Sequence, residues 1–490
     1  MRDKGNVSDE AILTTKNLSK IAAFKAAQYP LLAVFMMLVP RTLGAEIYGE
    51  YVLLLSILTI ADALINFGIE EICARFVPEM EMRGGVAEVR RFYSSMLLVK
   101  AIVDIVAVTG LLLLLKYIYG DRFPNAYLIA LVSTVFLRDL QNTAYALLFG
   151  LNKLSRFSAR DPIRRALSLG LVLLLVHFYG LFGAVLAMFL VEALLFSLGF
   201  YWTRTYLAHS RFDLKPRSLM PYVQFGFIFY LCWVLTNIWQ RVGNVLIDKF
   251  THDPHQVAIF DIPNQIFIIT LSGILTLFSA LVPMFVKLRM SGQEEKLMRW
   301  SRRMVKYGVA LCTIIFAGFA IAGPGLIPWV IGGEYSDIYR NGAVLLMGGV
   351  AFVVAKMGIV FSIVYNKPAR YFAGLTMAVA SFLLAAAVLI PRLQSMGAAV
   401  ATGISGVVLA VAMSAFFKEQ MIHCVRDAIL VAGAAVVIIP FLGFRGGVVS
   451  GLVGFLGFVL VYGLLLATTG LVRVREIKEI IEAIRQRAAS

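Results

Sequence analysis

The 490-residue chain is 60% hydrophobic and 15% charged, whereas a soluble domain averages about 45–50% apolar and about 25% charged residues. That excludes a water-soluble fold: the chain reads as an all-α polytopic membrane protein. Its formal net charge of +16 is of a size that could mark a nucleic-acid binder, but the placement of the charge along the chain argues otherwise.

Residues 1–16 are polar, are expected to be irregular, and lead into a full-length apolar span rather than a cleavable signal. Crossing the hydrocarbon takes about 20 apolar residues. About fourteen such spans are expected, near 19–40, 48–69, 93–116, 124–149, 163–180, 181–203, 221–247, 257–285, 304–323, 342–365, 370–391, 396–417, 426–444 and 447–471. Only Tyr179-Gly180-Leu181 separates the fifth from the sixth, which makes a tight hairpin. Beyond the last span, Ile477, Ile480, Ile481 and Ile484 share one helical face among Arg473, Arg475, Lys478, Arg485 and Arg487. Residues 473–490 are therefore expected to form a basic amphipathic helix suited to an anionic leaflet; a solvated extension of the last span fits the same pattern.

Lys and Arg concentrate in the N-terminal tail and in alternate loops. The opposite loops hold only Arg41, Lys116, Arg122, Lys249, Arg340, Arg392 and Arg445. By the positive-inside bias, both termini are cytoplasmic, and the excess charge is topology rather than nucleic-acid binding.

One hexapeptide pattern occurs twice. Asn152-Lys153-Leu154-Ser155-Arg156-Phe157 reappears as Asn366-Lys367-Pro368-Ala369-Arg370-Tyr371, each followed at the same distance by Gly183-Ala184-x-x-Ala187 or Gly397-Ala398-x-x-Ala401. The offset is 214 residues throughout, which marks a duplicated unit. Val77-Pro78 and Val282-Pro283 close corresponding spans ahead of basic loops. Spans one to six therefore repeat in parallel as seven to twelve. The expected organisation is an N-lobe at 17–205, a cytoplasmic linker at 206–220, a C-lobe at 221–418 and two additional spans within 424–472. A parallel repeat suits a two-lobed transporter with a substrate path between lobes. The paired loops fall on the cytoplasmic side, where Asn152, Lys153, Arg156, Asn366, Lys367 and Arg370 could anchor helix ends at the headgroups or meet a substrate headgroup on entry.

Other chemistries find little support. Cys73, Cys232, Cys312 and Cys424 show no metal or disulfide spacing. His252-Asp253-Pro254-His255 reads as a solvated turn rather than a metal site. No Walker A loop is present, and no cofactor is expected. The opposite-side loop near 324–341 is too short and carries no catalytic cluster for a polymerase or glycosyltransferase.

Charges inside spans are functional-site candidates, because each costs at least about 2.5–3.5 kcal/mol at mid-membrane. The cations are Lys100, Arg138, Arg241 and Lys356; the acids include Asp62, Asp104, Asp139, Glu192 and Asp261. Lys100 and Asp104 share a helical face and could simply neutralise each other. Arg138 and the adjacent Asp139 diverge by about 100°, so Arg138 needs a cavity or another helix. Four cations would favour an anionic substrate, Arg for bidentate phosphate contact and Lys as a point charge. Tyr230, Trp233 and Trp239 could stack on sugar rings or face lipid. Asp62, Asp139 and Asp261 could couple protons or cations, or join helices by hydrogen bonds.

The stretch Arg41-Thr42-Leu43-Gly44-Ala45-Glu46-Ile47-Tyr48-Gly49-Glu50-Tyr51, then Arg75-Phe76-Val77-Pro78-Glu79, together with the paired loops, resembles the polysaccharide exporter, or Wzx-like O-antigen flippase, family. That family belongs to the multidrug/oligosaccharidyl-lipid/polysaccharide (MOP) exporter superfamily. Ala45 stands where a proline is common. The resemblance implies twelve to fourteen helices in two six-helix lobes, alternating access, and flipping of undecaprenyl-diphosphate-linked oligosaccharide to the outer leaflet of the cytoplasmic membrane. It implies lipid-linked oligosaccharide and membrane lipids as partners, with a polysaccharide polymerase and assembly proteins alongside. The alternatives are a cation-coupled multidrug exporter of the same fold and a peptidoglycan-precursor flippase.

Overall fold

The computed structural model describes residues 4–207, 216–444 and 446–471. Among them there is helix and no strand. The α-helices are α1 (Lys4–Ile65), α2 (Ile69–Tyr119), α3 (Asn125–Gly150), α4 (Leu154–Thr203), α5 (Pro216–Thr251), α6 (Pro254–Ala280), α7 (Val282–Met290), α8 (Glu294–Ala317), α9 (Gly323–Val330), α10 (Ile338–Val364), α11 (Pro368–Phe416), α12 (Lys418–Gly433) and α13 (Val448–Thr468). Nine helical stretches among the described residues are long and apolar enough to cross a membrane. Four of them bend at a single non-helical residue: Gly44 in α1, Gly85 in α2, Gly180 in α4 and Gln394 in α11. The chain is therefore a multi-pass membrane protein. The region expected as an amphipathic helix at 473–490 lies outside the described residues, as do 208–215 of the expected linker.

Three irregular stretches expected from the sequence are helical. The polar tail is helical from Lys4. The basic segment between the second and third expected spans continues as α2, broken only at Gly85. The reason is an apolar side hidden among the charges. Ile69, Ile72, Cys73, Val77 and Met80, at helical spacing, pack with Val89, Phe92, Tyr93 and Met96 against Ala146, Leu147 and Tyr206. The opposite-side segment near 324–341 likewise contains α9, preceded by a π-turn over Gly318–Ala322.

The chain forms two compact units. One comprises residues up to Leu43 with Leu53–Arg241; the other comprises Gly44–Val52 with the chain from Val242 onward. In the first, α3 packs against α2 and α4. In the second, α10 packs along α11, α6 and α8, and α12 packs on α8. A bidentate pair ties that last contact, with Arg302 Nε and Nη2 donating to Asp427 at 2.7 and 3.2 Å. Gly44–Val52 is a piece of α1 that packs within the second unit. Gly44 breaks the helix with φ 74°, Ala45 N–H donates to Glu334 Oε2 at 3.0 Å, and a Cβ on Gly49 would lie 1.8 Å from Pro254 O. Glu334 thus caps the restart of α1 from 289 residues away.

The duplication is visible in backbone detail. Asn152 and Asn366 have left-handed φ values of 55° and 51°. After α3, Lys153 N–H bonds to Leu148 O and Asn152 N–H to Phe149 O. After α10, Lys367 N–H bonds to Ser362 O and Asn366 N–H to Ile363 O. Both are Schellman caps with Asn in the left-handed position that glycine usually fills. The motif's Asn is therefore a helix stop, since Asn tolerates that conformation better than most residues. The hairpins that follow also correspond: α4 turns back at Gly180 and α11 at Gln394. Leu175 O lies 2.1 Å from where a Gly183 Cβ would be, and Leu389 O 2.4 Å from where a Gly397 Cβ would be.

Candidate functional site

The first unit contains a closed circuit of charged and polar side chains. On α3, Arg138 and Asn142 are one turn apart on one face, and Asp139 points elsewhere. Arg138 Nε lies 3.4 Å from Asp62 of α1 and 4.0 Å from Glu192 of α4. Arg164 Nη2 donates to Glu192 Oε2 at 3.0 Å, and Arg164 Nη1 is 4.0 Å from Asp161. Arg160 Nε donates to Asp161 at 3.2 Å, while its Nη1 donates to Asn142 Oδ1 at 3.4 Å. Asn142 Nδ2 closes the circuit by donating to Asp62 Oδ1 at 3.2 Å. Three guanidiniums thus alternate with three carboxylates, and one amide completes the ring. Asp62, Asn142 and Glu192 are buried, a setting in which charges persist only when paired. Glu70 extends the ring, 3.4 Å from Arg160, and the Tyr145 ring lies 5.5 Å from the Arg160 guanidinium.

A second cluster lies on the other side of α3. Lys100 of α2 pairs with Asp139 and lies 3.6 Å from Asp104. Its ammonium also donates to Ile65 O, the last carbonyl of α1, and sits 5.2 Å from the centre of the Phe67 ring. Tyr230 of α5 stacks on Phe67 at 5.3 Å and donates its hydroxyl to Leu64 O at 2.7 Å. Lys100 therefore ties α1, α2 and α3 together where α1 ends at Asn66-Phe67-Gly68. The expected divergence of Arg138 from Asp139 is observed: the first faces α1 and α4, the second α2.

The remaining sequence candidates occupy separate places. Arg241 and Trp239 are half-buried on α5, and Trp233 is exposed there. Asp261 of α6 is buried in the second unit, accepting from Asn244 Nδ2 at 3.0 Å and from Tyr48 Oη at 3.4 Å. Lys356 of α10 is half-buried, and no hydrogen bond or ion pair holds it among the described residues. Around the first repeated loop, Asn152, Lys153, Leu154, Ser155 and Arg156 line a cavity of about 300 Å³. There Lys153 Nζ lies 3.3 Å from Tyr206 Oη. Arg370 donates to Phe416 O at the end of α11. No group of His, Cys, Asp and Glu able to hold a metal occurs among the described residues.

Arg160 and Arg164 do not stand out as in-span charges in the sequence, because they fall at the edge of an expected span, where basic residues read as topology. The available signal was their spacing: one turn apart, with Asp161 between them, they share a helical face.

A polysaccharide biosynthesis protein family model matches residues 14–289, more than half of the chain. The chain belongs to the polysaccharide biosynthesis protein family. No curated protein sequence matches this family member. Its fold is shared with solved transporters of the MOP superfamily. An inward-facing multidrug resistance MATE family transporter matches with a TM-score of 0.64 at 14% identity, over 83% of this chain and 96% of that one. The lipid II flippase MurJ, in an inward closed conformation, matches with a TM-score of 0.64 at 12% identity, over 91% of this chain and 100% of that one. A MOP superfamily transporter from Pyrococcus furiosus, described as having a binding pocket of reverse polarity, matches with a TM-score of 0.53 at 13% identity, over 84% and 94%. At these identities the likeness is one of fold.

Proposed function

We propose that this family member is a flippase of the cytoplasmic membrane that moves an undecaprenyl-diphosphate-linked oligosaccharide from the inner to the outer leaflet by alternating access. The observation that carries the reading is the arginine ring of the first unit. Arg138, Arg160 and Arg164 lie together on membrane-spanning helices, and the guanidinium fork matches phosphate oxygens in pairs. Arg241 and Lys356 are further cations for the diphosphate or for acidic sugars, and Lys100, the fourth in-span cation, holds the junction of α1, α2 and α3. Tyr230, Trp233 and Trp239 offer faces for sugar rings. Asp62, Asp139 and Asp261 are the coupling candidates, and the loops carrying Lys153, Arg156, Lys367 and Arg370 meet the headgroup on entry. The placement of Lys and Arg along the chain supports cytoplasmic termini. A polymerase and assembly proteins are the natural partners of the flipped product.

The test is replacement of Arg138 or Arg241 by Ala in the producing cell. Loss of surface polysaccharide, with normal amounts of protein in the membrane, is expected. Unchanged polysaccharide in both variants overturns these assignments. Intact polysaccharide with drug hypersensitivity in a deletion strain would favour the multidrug-exporter alternative.

A further inference from the structure

Glu192 occupies the position in the ring that an anionic ligand would take. Its carboxylate bridges Arg164 at 3.0 Å and Arg138 at 4.0 Å, the arrangement in which two guanidiniums hold a phosphate. The guanidinium side chains are 20% and 19% exposed, whereas the Glu192 side chain is 6% exposed. Solvent thus reaches the two arginines more readily than the carboxylate between them. Resting on the flippase reading above, we propose that Glu192 is an internal competitor for the diphosphate: it neutralises Arg138 and Arg164 in the unloaded protein, is displaced when the headgroup binds, and returns to expel it.

Three observations support this role. The first is charge. The ring holds three positive and three negative groups, so an incoming diphosphate finds matching charge only if a carboxylate withdraws. The second is reach. The Glu192 side chain is one methylene longer than those of Asp62 and Asp161, and it meets Arg138 and Arg164 from the second half of α4. The third is that the fold closes without it. At the 214-residue offset, Arg138 corresponds to Phe352 and Glu192 to Gly406. There, the Phe352 ring lies against Gly406, with Cε2 only 2.4 Å from where a Cβ would be. The same two helical positions pack as phenyl on glycine in one unit and as an ion pair in the other. Helix packing therefore does not dictate the charge at 192.

The experiment is binding of inorganic pyrophosphate to the full chain in lipid nanodiscs, with export measured in cells. Glu192→Gln is expected to bind on the order of tenfold more tightly than the wild type, a size typical of coupled sites. Glu192→Asp, which withdraws the carboxylate by one methylene, should shift the same way by a smaller factor. Export should fall in both, because release loses its competitor. A merely structural salt bridge would instead weaken binding and export together. If Arg138→Ala loses pyrophosphate while both Glu192 variants match the wild type or bind more weakly, the competitor role is wrong and the flippase reading stands. If the wild type itself binds no pyrophosphate, both fail. Should Glu192→Gln not assemble, Glu192→Asp decides alone.

Discussion

Gly180 and Gln394, 214 residues apart, hold the same backbone conformation: φ 54° and ψ −133° at the glycine, φ 52° and ψ −131° at the glutamine. This region suits glycine and costs other residues about 1–3 kcal/mol. Gln394→Gly should therefore raise thermal stability in detergent, by about 1 kcal/mol after the added freedom of the unfolded chain is offset. Gly180→Gln should lower it by about 1–3 kcal/mol. Equal unfolding temperatures for the wild type and both variants would remove the claim of strain.

Gly183→Ala and Gly397→Ala test the hairpins themselves. A methyl group at either site would stand 2.1 Å from Leu175 O or 2.4 Å from Leu389 O. Each substitution should destabilise its unit by at least about 1–3 kcal/mol, the usual penalty for overpacking. Yield and a melting curve after membrane extraction would register the loss, and wild-type values would refute the tight approach.

Lys100→Met removes the one cation shared by Asp104 and Asp139, both fully buried. Breaking a buried pair on one side costs about 3–5 kcal/mol, because the carboxylates remain without compensation. Adding Asp104→Asn and Asp139→Asn to Lys100→Met should restore much of the stability. The comparison is made by thermal unfolding of the single and triple variants; a single variant as stable as the wild type would show that Lys100 does not tie the helices.

Glu334→Ala uncaps the restart of α1 at Ala45. A lost helix cap costs about 0.5–2 kcal/mol. Hydrogen exchange should therefore quicken at the amide of Ala45 and its neighbours, while Val52–Leu58 keep their protection. Unchanged exchange at Ala45 would show that the Glu334 carboxylate does not hold that end.

The duplication was legible in the sequence because its signature is local. Asn152-Lys153 and Asn366-Lys367 are shared since each Asn ends a helix in the left-handed region, and the backbone hydrogen bonds around both are the same. The family resemblance rested on similar local motifs. The in-span charges were also legible one at a time, and adjacency alone separated Arg138 from Asp139. The ring was not. Its members come from α1, α3 and both halves of α4, so their meeting depends on tertiary packing. Arg160 and Arg164 lie in a segment whose cluster of basic residues, by charge alternation, reads as a loop. The helical character of 70–92 was masked by its charges, because Ile72, Val77 and Met80 needed a partner face on α3 to reveal their role.

The capping of Ala45 by Glu334 also bears on how the protein is made. The two residues are 289 positions apart, and a ribosome adds about 5–20 residues per second. The bend at Gly44 therefore emerges about 15–60 seconds before the carboxylate that caps it. Pro254, against which Gly49 packs, also arrives late. During synthesis the Gly44–Val52 part of α1 waits without its final neighbours, so truncation before Glu334 should yield a chain whose first helix never acquires its finished shape.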